Sequence, residues 1–104
     1  MIRAEFFTQA NGELVGFRIT GHNGTAGRDI LCAAVSSAAY MAANTVTDVI
    51  RADAEVAVED GYMLVKILSG NAKSCRSIFE GFKLHMQGLE EQYPKNIQVS
   101  YTEV

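Results

Sequence analysis

A histidine and a cysteine stand ten positions apart near the start of this chain, His22 and Cys32, with a glycine-rich stretch between them. The stretch reads Gly21-His22-Asn23-Gly24-Thr25-Ala26-Gly27-Arg28-Asp29, so Gly21, Gly24 and Gly27 recur at intervals of three. If Asp29 caps a helix that begins near Ile30, Cys32 falls in its first turn. A thiol placed there meets unpaired backbone amides and the positive end of the helix dipole. Both favour thiolate, the nucleophilic form, and the same amides can hold an oxyanion. An imidazole brought across the loop completes a cysteine–histidine nucleophile and base pair. The plainer reading is that a helix-start cysteine is a small apolar core residue. One Cys and one His at this spacing do not form a specific motif. The glycines favour a site, because glycine before a helix lets a ligand approach the backbone closely.

The neighbouring residues have double readings too. Asp29 is first an N-cap, contributing on the order of 1 kcal/mol to the helix. Its other reading is a third member that orients the imidazole, although an anion there partly opposes thiolate. Ser36, one turn after Cys32, either donates to the sulfur or bonds back to its own helix, and the second is favoured. Cys75 falls on an apolar helical stripe and reads as core, His85 beside it as surface. Gly81 and Gly88 weaken a helix unless they admit a close neighbour, which predicts a helix–helix contact there. Arg18, Arg28 and Lys66 read as solvated charges. The glycine stretch matches neither the dinucleotide fingerprint nor the phosphate-loop pattern, and no lysine follows its last glycine.

These residues need a scaffold, and 104 residues suffice for one domain, 1–104. Hydrophobic residues make up 48% and charged residues 20%, a globular balance. A net charge of −3 argues against direct nucleic-acid binding, which needs a basic face. No signal-type apolar run opens the chain, and every long apolar stretch has polar interruptions, so no membrane association is expected and a cytoplasmic protein is the simple reading. Two cysteines make no disulfide framework, and no Cys or His pair has zinc-site spacing. Neither a metal nor another cofactor is expected.

Hydropathy patterning supplies the elements. Ile2, Ala4 and Phe6 alternate with Arg3 and Glu5, with Phe7 as the exception, and Asn11-Gly12 is a strong hairpin signal. Val15, Phe17 and Ile19 continue the alternation in a second strand. A helix rich in alanine runs from about Ile30 to Ile50, apolar on more than one face and therefore central. A second hairpin turns at Asp60-Gly61. A helix over about Ala72 to Tyr93 carries the stripe Ala72, Cys75, Phe79, Phe82, Met86, Leu89 and Tyr93. Pro94 ends it, and Ile97, Val99 and Tyr101 form a last strand. The order is ββ-α-ββ-α-β, an α+β domain with a mainly antiparallel sheet and two long helices packed on it.

Gly21-His22 at a strand end, the glycine loop, and Gly27-Arg28-Asp29-Ile30-Leu31-Cys32-Ala33-Ala34-Val35-Ser36 together resemble the signature of the bacterial ribosomal-processing cysteine protease family, Prp. Element order and length extend the resemblance over essentially the whole chain. It implies an endopeptidase, with Cys32 as nucleophile and His22 as general base and then acid. The family's Asp and Ser flanking the cysteine fall on Asp29 and Ser36. It also implies a cytoplasmic homodimer whose substrate is the ribosomal large-subunit protein numbered twenty-seven, from which a short N-terminal extension is removed. The loop carrying Gly21, Gly24 and Gly27 would gate substrate entry. Two other readings stand beside this one. The first is a non-enzymatic ribosome-associated binding module. The second is a small anion or nucleotide binder using the glycine loop.

Overall fold

The amino-terminal alternation folds as a hairpin. Strand β1 (Ile2–Thr8) pairs antiparallel with β2 (Leu14–Thr20), with Phe6 opposite Phe17 and Ala4 opposite Ile19. The computed structural model describes residues 1–21, 30–68 and 70–104. Helix α1 (Ile30–Asn44) continues into a π-helical turn over Thr45–Ile50. A second hairpin, β3 (Ala54–Glu59) and β4 (Tyr62–Ile67), is followed by α2 (Ala72–Gln92) and β5 (Ile97–Glu103).

One five-stranded sheet has the order β3-β4-β2-β1-β5. Three of its pairings are antiparallel, and β1–β5 is parallel. The expected α+β order and mainly antiparallel sheet are therefore present. The parallel pair follows from α2, whose 21 residues return the chain along the sheet before β5 begins. On one face the register aligns Phe6, Phe17, Val65 and Val56 across four strands, and Ala4, Ile19, Met63 and Val58 beside them. Ring contacts tie this face to α2: Phe82 lies 4.5 Å from Phe17 and 5.6 Å from Phe6, centroid to centroid. Cys75, Phe79, Phe82 and Met86 are the buried part of the stripe, while Leu89 and Tyr93 pack partly buried against the core.

Four details differ from expectation. The first helix changes to π-register over its last six residues. There the Thr45 and Thr47 hydroxyls donate to the Met41 and Ala43 carbonyls at 2.7 and 3.1 Å, taking acceptors that α-register amides would use. By length and composition alone, Ile30–Ile50 also passes as a membrane span. In this fold Leu31, Val35, Ala39, Ala42, Ala43 and Val46 of that run are buried in the core. Arg18 is not merely solvated: its guanidinium donates to Glu5 at 2.5 and 3.0 Å and lies 5.6 Å from the Phe7 ring centroid. That covers Phe7, the break in the alternation, which is buried on the otherwise polar face. Finally, a Cβ at Gly81 or Gly88 would meet nothing within 4 Å. Among the described residues the predicted helix contact is absent there; the two glycines line an open groove with Leu84 and His85.

Candidate active site

Cys32 is the third residue of α1, so the helix start places its thiol in the first turn. It is partly buried and packs against the core. It also faces a cleft of about 300 Å³ between α1 and one end of the sheet. Along α1 the wall is Cys32, Val35, Ser36, Ala39 and Tyr40, at the three- and four-residue spacing of one helix face. The floor is Ile2, Ile19 and Met63, and the opposite wall is the β3–β4 tip, Val58 to Tyr62.

Gly21 stands at the rim, where β2 ends. Its φ is +89°, and a Cβ there would lie 2.3 Å from the Met1 carbonyl oxygen. Its amide donates to the Gly61 carbonyl at 3.0 Å. Glycine is required twice over, by the left-handed backbone and by the close approach. The contact fastens the strand end to the hairpin tip, which fixes where the chain leaves the sheet just before His22. His22, Gly24, Gly27 and Asp29 lie outside the described residues, as does Arg28.

The two thiols have opposite surroundings. Cys75 is fully buried, and burial pushes its thiol pKa up, with a weaker opposing hydrogen bond from Ser74. That matches its reading as core. Ser36 is exposed on the cleft wall. His85 is exposed beside Leu84, as expected of a surface histidine. Among the described residues no group of three His, Cys, Asp or Glu side chains is arranged to hold a metal ion.

Tyr40, Val58, Glu59 and Tyr62 belong to the cleft and carried no signal in the sequence. Asp60-Gly61 was legible only as a turn. Its place opposite Cys32 comes from β4 lying beside β2, a long-range pairing that no local pattern encodes.

A helix-start cysteine on the wall of a cleft, in a small α+β domain, defines a thiol-bearing site of the kind cysteine hydrolases use. The sequence profile of the family described as Cysteine protease Prp matches residues 1–98, and the chain belongs to that family and is a cysteine peptidase. A Ribosomal processing cysteine protease Prp of Staphylococcus aureus is 23% identical over 97% of this chain and 99% of its own length. Two solved structures share the fold. The S. aureus protease Prp with a covalently linked product peptide has a TM-score of 0.89 at 23% identity, covering 98% of this chain and 100% of that one. SMU.848 from Streptococcus mutans has a TM-score of 0.85 at 27% identity, covering 100% and 96%.

Proposed function

We propose that this cysteine peptidase removes the N-terminal extension of the bacterial large-subunit ribosomal protein numbered twenty-seven. Cys32 is its nucleophile and His22 its general base and acid. The observation that carries the assignment is the contrast between the thiols: Cys32 opens onto the cleft from a helix start, while Cys75 is sealed in the core. The processing role is supported by the relative named a ribosomal processing protease and by a structural neighbour described with a substrate peptide.

The reaction is acyl transfer. The Cys32 thiolate adds to the peptide carbonyl, and backbone amides at the start of α1 stabilise the oxyanion. Protonated His22 gives its proton to the leaving amine as the C–N bond breaks. Water, deprotonated by His22, then hydrolyses the thioester and returns the thiol. Asp29 and Ser36 support the pair, and Gly21, Gly24 and Gly27 let the intervening loop admit and enclose the peptide. The enzyme works as a cytoplasmic homodimer, a placement in keeping with Cys32 and Cys75 forming no disulfide. Sedimentation of the purified protein tests the dimer.

Incubation with the extended ribosomal protein tests the activity. Wild type is expected to yield one shorter protein of defined mass, and Cys32→Ala and His22→Ala none. Stable binding of the extended protein without cleavage by wild type would instead support a non-enzymatic module. Saturable nucleotide binding lost on altering the glycine loop would support the anion-binding reading.

A further inference from the structure

The sheet has two edges, and they are treated differently. At β5 the outward Val99 amide is taken by the Glu90 carboxylate of α2 at 2.7 Å. At β3 no such cover exists among the described residues, and residues 55–59 are exposed. The pairing phase shows which backbone groups are open there. Glu59 and Tyr62 flank the two-residue Asp60-Gly61 turn, and such a flanking pair exchanges its hydrogen bonds. At the other end the Leu68 amide donates to the Asp53 carbonyl at 2.8 Å, the same phase. Residues 53, 55, 57 and 59 therefore turn their backbone groups toward β4. Ala54, Val56 and Val58 turn theirs outward.

An exposed, unpaired edge is a template for another extended chain. This one leads into the cleft, because Val58 and Glu59 form part of both. Val56 and Val58 lie on the helix-side face of the sheet and are 43% and 46% exposed, leaving apolar side-chain seats beside the open amides. The charged side chains from Asp53 to Glu59 are acidic: Asp53, Glu55 and Glu59 are all exposed, with Ala54 and Ala57 between them. A second copy of the same edge would bring like charges together, whereas a basic peptide would not.

We propose that β3 is the docking strand of the peptidase. A basic, extended segment of the substrate adds to the sheet along Val56 and Val58 and is delivered from there to Cys32. The inference rests on the peptidase reading and extends it to how substrate is held. Backbone hydrogen bonds supply affinity, the valine seats give the segment its register, and the acidic side chains select for basic residues.

Binding is measured apart from cleavage. A fluorescein-labelled, lysine-containing peptide of about ten residues, long enough to cover β3 and enter the cleft, is titrated onto the full-length Cys32→Ala protein by anisotropy. Val56→Pro removes one outward amide, at an edge position that accepts proline because β4 does not use that amide. Added to Cys32→Ala, it is expected to weaken binding about tenfold, the loss of an outward hydrogen bond and of strand fit together. Far-ultraviolet circular dichroism and melting confirm that the variant folds. Peptides N-methylated at single amides, tested on the unaltered edge, should lose affinity at alternate positions only, the period of a strand. A glutamate-for-lysine peptide should bind at least about tenfold more weakly at low salt. Unchanged affinity with Val56→Pro and with every N-methylated peptide would overturn the proposal. So would a Val56-dependent self-association that excludes the peptide. Val56-dependent binding without cleavage by wild type would keep the docking strand and remove the peptidase assignment.

Discussion

Cys32 and Cys75 are the same side chain in two environments, and reactivity should separate them. Burial raises the Cys75 thiol and shields it, whereas Cys32 faces the cleft. Iodoacetamide added to folded protein should alkylate Cys32 within the time that Cys75 stays unmodified, and denaturant should expose both. Peptide mapping of the alkylated protein checks this; modification of Cys75 at an equal rate would contradict it. Gly21 is the second decisive residue. Gly21→Ala must accommodate a methyl group 2.3 Å from the Met1 carbonyl in a left-handed backbone. It should lower stability by roughly 1–3 kcal/mol, and peptidase activity should fall further than the folded fraction does, because the strand end beside His22 moves. Activity tracking the folded fraction alone would make Gly21 structural only. At this scale the sequence was informative about Cys32, because a helix start can be read from Asp29 and the residues after it. It was silent about Tyr40 and Val58, which reach the site only through tertiary packing.

Among the elements, β1 is held on both sides through one carboxylate. Glu5 accepts from Arg18 on β2 and from the Thr102 hydroxyl on β5. The Thr102 hydrogen bond, and then the Arg18 guanidinium, hold the Glu5 carboxyl below its ordinary value. A carboxylate with a depressed folded pKa contributes stability above its unfolded pKa and loses it as pH falls through the folded one. Wild type should therefore exceed Glu5→Gln in stability by a few tenths to about 1 kcal/mol at neutral pH. The gap should begin to close below about pH 4. Chemical denaturation across pH measures it; a gap that widened on acidification would refute the assignment. The strands and helices were legible because their periods of two and of three to four are local. The role of Arg18 was not, since its partner Glu5 lies across a hairpin and its ring contact, Phe7, looked like an error in the alternation. The π-turn was hidden as well: Thr45 and Thr47 have little effect on apolar periodicity, and only their hydroxyl bonds to Met41 and Ala43 reveal the change of register.

For the whole molecule, the order of elements was readable and the order of strands was not. Alternation shows that β3 and β4 form a hairpin, but not that β4 joins β2 and leaves β3 at an edge. That placement makes the cleft, since it sets the hairpin tip opposite α1. It also divides the sheet into an edge covered at Val99 and an edge left open beside the site. The glycines on α2 carry the complementary lesson. Their spacing suggested a helix partner, and among the described residues a Cβ at either glycine would meet nothing within 4 Å. The central claim is that Cys32 forms a thioester with substrate. It is tested most directly by acid-quenching wild type during turnover of the extended ribosomal protein and mapping the enzyme by mass spectrometry. The account predicts a substrate-derived acyl group on Cys32, absent from Cys75 and absent in Cys32→Ala, which also releases no product. Product formed by Cys32→Ala, or an acyl group carried on any other residue, would contradict it.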